Sequence, residues 1–77
     1  MSAHFPQCSP KQAIAAFETL GFRVLPSRGK THIIMNRPGD PVHLSIPSHR
    51  HLKRGLLRSL IRDAKISVPE FVNLLGR

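Results

Sequence analysis

The sequence predicts an α+β domain in the order helix, three antiparallel strands, helix, short helix. Three observations predict it. Apolar residues recur at helical spacing after Ser9 and again from Leu56 to Ala64. The stretch between them alternates at a period of two and is broken by turns rich in Pro and Gly. Two capping signatures, Ser9-Pro10-Lys11-Gln12 and Ser67-Val68-Pro69-Glu70, open the first and last helices.

Residues 1–8 read as an irregular lead-in. The first helix spans about 10–20, carries Ala13, Ile14, Ala16, Phe17 and Leu20 at helical spacing, and stops at Gly21, a left-handed cap. Phe22 to Ser27 alternates and reads as a strand ended by Pro26, followed by the basic turn Ser27-Arg28-Gly29-Lys30. Thr31 to Met35 is the second strand, 36–41 a turn, and Val42 to Pro47 the third strand. Short loops between the strands imply an antiparallel meander. A polar, basic connector over 48–53 leads into the second main helix. There Leu56, Leu57, Leu60, Ile61 and Ala64 form an apolar stripe, and Arg54, Arg58 and Arg62 lie on another face. The last helix carries Phe71, Leu74 and Leu75 and ends at Gly76. The whole of 1–77 is expected to be one domain.

The alternation sorts the sheet into two faces. Phe22, Val24, Ile33, Met35, Val42, Leu44 and Ile46 should face both main helices. Arg23, Leu25, His32, Ile34, His43 and Ser45 should then line the open face. Closure of the hairpin near Pro38-Gly39 sets His32 across from or near Ser45, with His43 diagonal to it.

Composition narrows the partners. The 77 residues hold twelve Lys and Arg against four Asp and Glu, a net charge of +8. So large a charge on so short a chain attracts polyanions, nucleic acid first. Trp and Tyr are absent, which disfavours single-strand binding on aromatic platforms and favours contact through phosphates and backbone shape. The single cysteine, Cys8, allows no internal disulfide and no thiolate zinc site; before a helix cap it reads as a packing residue. A reducing cytoplasm fits, and neither a signal peptide nor a membrane span is expected.

The open face suggests a chemistry. A neutral imidazole can take the proton of a ribose 2′-hydroxyl, which then attacks the adjacent phosphate. Lys and Arg can stabilise the charge that gathers on the phosphate. His32 is the candidate for that work. The candidates for holding RNA are Arg23, Arg28, Lys30, His43, His49, Arg50, Lys53, Arg54 and Arg58. The plain alternatives are surface histidines and a solvated helix face. Glu18, Asp40, Asp63 and Glu70 are scattered along the chain, which argues against a two-metal nuclease, and no metal or other cofactor is expected.

Over nearly its whole length the chain resembles the HicA toxins, or YcfA-like proteins. The resemblance rests on Leu20-Gly21-Phe22-Arg23 and on Arg28-Gly29-Lys30-Thr31-His32-Ile33-Ile34, similar to the family's Gly-Ser-His-x-Ile strand. It continues in Ile46-Pro47-Ser48-His49, in Gly55-Leu56-Leu57-Arg58-Ser59-Leu60-Ile61, and in Ala64-Lys65-Ile66-Ser67-Val68-Pro69-Glu70-Phe71. It implies a fold like double-stranded RNA-binding domains, with both main helices on one face of the sheet. It also implies a type II toxin that cleaves mRNA with the histidine of the second strand, His32 by motif match, and neutralisation by a HicB-type antitoxin. Two departures stand out. Lys30-Thr31 replaces Gly-Ser, keeping a hydroxyl, and Lys65 replaces a glycine at a helix end, where little cost is expected. The competing readings are a non-catalytic RNA-binding module of the same fold and a basic protein whose only partner is an acidic protein.

Overall fold

The computed structural model describes residues 7–26, 31–48 and 50–76. Along them run α1 (Pro10–Thr19), β1 (Arg23–Val24), β2 (His32–Arg37), β3 (Asp40–Pro47), α2 (Arg54–Asp63) and α3 (Val68–Leu75). The strands form one antiparallel sheet in the order β1-β2-β3. This is the predicted α+β layout, with the short third helix at the end.

Local chemistry sets the helix ends. Ser9 accepts from the Gln12 amide at 3.2 Å, and Gln12 accepts from the Ser9 amide at 2.9 Å. Ser67 and Glu70 repeat that reciprocal pair at the start of α3. Each box satisfies two amides that a helix start leaves without partners. Beyond α1, Gly21 takes φ +97, the left-handed cap expected of it.

The sheet differs from expectation in its bounds. β1 is two residues long rather than starting at Phe22 and running up to Pro26; beyond it the Leu25 amide still bonds across, to the Ile34 carbonyl at 2.8 Å. Pro26 has no amide to continue the ladder. β2 and β3 run further than expected, because only Pro38 and Gly39 are needed to reverse the chain. Gly39 takes φ +81, as the third residue of a type II turn requires. The ladder shifts at that turn: Asn36 opposes His43 whereas Arg37 opposes Asp40, leaving Pro41 and Val42 unmatched. A proline in such a bulge forfeits no ladder bond.

The core lies between the sheet and the helices. Ala13, Ala16 and Phe17 of α1, Met35, Leu44 and Ile46 of the sheet, Leu57, Leu60 and Ile61 of α2 and Phe71 of α3 are all buried. Phe17 stands edge-on to Phe22, centroids 6.0 Å apart, and against Phe71 at 5.3 Å. Full burial of side chains of this size stabilises by roughly 1.5–3 kcal/mol each, so three rings carry much of a thin core. Val24 corrects the expected burial. It pairs with Met35 and so shares the inner face, yet on the edge strand β1 it is 44% exposed.

Arg37, unremarked in the sequence, locks the turn end of the hairpin to α1. Its guanidinium lies 4.3 Å over the Phe22 ring, donates to the Leu20 carbonyl at 3.4 Å and pairs with Asp40 at 2.8 Å. Asp40 also accepts from the Val42 amide at 3.1 Å and faces the Lys65 ammonium at 3.6 Å. The Arg37 hydrogen bond, helped by the Val42 amide and the neighbouring positive charges, holds the Asp40 carboxyl below its ordinary range despite burial.

Candidate active site

His32 begins β2, exposed on the sheet face away from the helices. Ile33 and Met35 must turn inward to fill the core, and strand alternation then turns His32 outward. Its neighbour Thr31 places Oγ1 3.2 Å from the His32 Nδ1. That contact orients the ring and couples its tautomer to the hydroxyl. When Nδ1 carries the proton and donates to Thr31, Nε2 keeps its lone pair for an incoming proton.

Register decides what shares the face. His32 opposes Pro47, Ile34 opposes Ser45, and Asn36 opposes both Arg23 and His43. Ser45 is therefore diagonal to His32, within the expected neighbourhood. His43 is not: it lies beside Asn36, four residues along β2, about 13 Å from His32. The expected diagonal assumed a register displaced by two residues. Arg23, Asn36 and His43 instead make a cross-strand row at the opposite end of the face, with Arg23 and His43 exposed. Within that row the Asn36 Oδ1 is shut off from solvent without a hydrogen-bond partner. Asn36 opens the turn-rich run 36–41 in sequence, which hides its place in β2.

The remaining expected RNA contacts divide by place. Arg50 lies exposed in the connector, Lys53 is the N-cap of α2, and Arg54 and Arg58 are exposed on that helix. Arg28, Lys30 and His49 lie outside the described residues. The Leu52 amide donates to the Cys8 carbonyl at 3.2 Å, and the Ser48 amide to the Thr31 carbonyl at 3.0 Å. These two bonds bring the connector, the start of α1 and the open end of the hairpin together. His32, Arg50, His51, Lys53, Arg54 and Lys11 therefore gather toward one end of the molecule.

The carboxylates lie toward the other end. Asp40 is at the hairpin turn, and Asp63 closes α2 just before Lys65, which reaches Asp40. Glu18 is in the last turn of α1, whose Leu20 carbonyl meets Arg37, and Glu70 lines a small cleft with Leu20. Four acids scattered in sequence thus collect away from His32, leaving a field of one sign around it. Among the described residues no group of three or more His, Cys, Asp or Glu is placed to hold a metal ion. No described helix is long and apolar enough to cross a membrane. Cys8 is buried, and loss of hydration pushes its thiol up to about 11, as suits a packing residue.

A family model described as HicA toxin of bacterial toxin-antitoxin matches residues 10–66 of the 77. The match spans α1, the whole sheet and α2. No curated protein matches the chain.

Proposed function

The chain belongs to the HicA toxin family, and from that premise we propose that it is a metal-independent endoribonuclease that cleaves mRNA with His32. The observation that carries the reading is an exposed imidazole, held through Nδ1 by Thr31, at the end of the molecule away from its four Asp and Glu side chains. Nε2 takes the proton of a ribose 2′-hydroxyl. The 2′-oxygen attacks phosphorus, and the bond to the 5′-oxygen breaks. The imidazolium so formed carries the proton that the departing oxygen needs. The products are a 2′,3′-cyclic phosphate and a free 5′-hydroxyl.

Cations supply the rest. Lys and Arg around the open face draw RNA in and stabilise the extra negative charge of the transition state. Arg50, Lys53 and Arg54, on the connector and the start of α2, form one group; Arg23 and His43 form a second at the far row. Arg28, Lys30, His49 and Arg58 complete the set by sequence. Family membership implies a HicB-type antitoxin, for which this positive surface is the natural docking face. The whole of 1–77 acts as one domain, in the cytoplasm.

The test is cleavage of a long transcript in EDTA by the wild type and by His32→Ala. The wild type cuts to products ending in cyclic phosphate; the variant keeps its fold and most of its RNA affinity but does not cut. An inert wild type that still binds RNA with steep salt dependence would be a binding module instead.

A further inference from the structure

We infer that the open cleft between the start of α1 and the β3–α2 connector is a second phosphate subsite, holding the RNA phosphodiester next to the one cleaved at His32. The inference rests on the reading of His32 given above. The cleft measures about 420 Å³ and is lined by Ser9, Pro10, Ser48, Arg50 and His51. That volume falls in the range of small-ligand sites.

Its lining is chemically one-sided. Arg50 and His51 are exposed and present N–H donors, and Ser9 and Ser48 bring hydroxyls; none of the described lining residues carries a carboxylate. A guanidinium offers phosphate two parallel N–H donors in a fixed plane. Among the described residues that line it, His51 has the one ring a base could stack on, so the lining suits the backbone of RNA rather than its bases.

Position ties the cleft to His32. Ser48 bonds across to Thr31, the residue before His32. Alternation sends Ser48 to the helix side of the sheet and His32 to the open side. The cleft therefore begins where the hairpin ends, one residue from the imidazole and around the sheet edge. A strand of RNA with its reactive phosphate at His32 crosses that edge, and its next phosphate meets Arg50 and His51.

Short 2′-O-methyl oligonucleotides test this, because they cannot be cleaved. A dinucleotide carries one phosphate and a trinucleotide two. In amide and imidazole NMR titrations, the dinucleotide should shift His32 alone, whereas the trinucleotide should shift His32 together with Ser48, Arg50 and His51. The trinucleotide should bind about tenfold tighter, and the double variant Arg50→Ala/His51→Ala should erase that advantage. Trinucleotide shifts confined to His32, or an advantage that survives the double variant, would overturn the subsite and leave the role of His32 standing. Shifts in the cleft with none at His32 would overturn the catalytic reading, and the subsite as a neighbour of the cleaved bond with it. A tri-aspartate peptide binding the cleft as tightly as the trinucleotide would also overturn it, assigning the cleft to an acidic protein.

Discussion

Thr31 Oγ1 lies 3.2 Å from the Nδ1 of His32, a contact between neighbours in sequence that ties one nitrogen of the ring to a hydroxyl and leaves the other to the open face. Thr31 acts as a positioning residue under the reading proposed above. Thr31→Val, which keeps the shape and removes the oxygen, should lower kcat about tenfold with KM nearly unchanged, and Thr31→Ser should restore it. His32→Ala should cost roughly 10²–10⁴ in rate, the usual contribution of general acid–base catalysis. Steady-state cleavage of a defined RNA checks all three. A kcat for Thr31→Val equal to that of the wild type would show that the hydroxyl does not orient the ring.

Lys65 takes φ +65, the left-handed conformation that favours glycine, immediately after α2. The substitution of lysine for glycine at this helix end was expected to cost little, and the backbone corrects that. A side chain with a Cβ is strained there by about 1 kcal/mol. The Lys65–Asp40 pair offsets little of it, since the ammonium is 68% exposed and screened by water. Lys65→Gly should therefore raise stability by about 0.5–1 kcal/mol, read as a higher urea midpoint at unchanged slope.

Asp40 gives the fold an acid sensitivity. Its carboxyl is held below the ordinary value of 3.8, chiefly by the Arg37 hydrogen bond. A group whose folded value is depressed contributes stability that is present above its unfolded value and lost as pH falls through the folded one. The stability difference between wild type and Asp40→Asn should thus be constant above about pH 5 and shrink below about pH 4. Urea unfolding across pH 2–7 reads this. Arg37→Ala should cost about 1–2 kcal/mol at neutral pH, through the lost Phe22 stacking and the orphaned Leu20 carbonyl.

Burial raises the Cys8 thiol from 9.0 to about 11. The native protein should resist thiol reagents at pH 8 and react fully in denaturant, so the labelling rate follows opening of the fold. The sign at alkaline pH is opposite to that of Asp40. The charged form is disfavoured on folding, so the contribution of this thiol is complete below about pH 9 and lost as pH rises towards 11. Cys8→Ala should show less alkaline destabilisation than wild type. Rapid labelling of native protein at pH 8 would contradict the buried placement.

Sequence alone determined the helices, their caps and the two faces of the sheet, because each rests on local chemistry. Capping boxes act over three residues, alternation over two, and a lone Gly21 suffices for a left-handed cap. His32 was legible for the same reason: its face follows by alternation from Ile33 and Met35, the apolar residues that come after it. Tertiary structure alone decided register, and with it the separation of His43 from His32, because the Pro38–Gly39 turn and its bulge set the pairing and periodicity does not encode them. It also decided the gathering of four distant acids at one end, the lock of Arg37 on Phe22 and Leu20, and the cleft of Arg50 and His51 with Ser9 beside the hairpin end. Each of these joins residues far apart in the chain, and only packing brings them within reach.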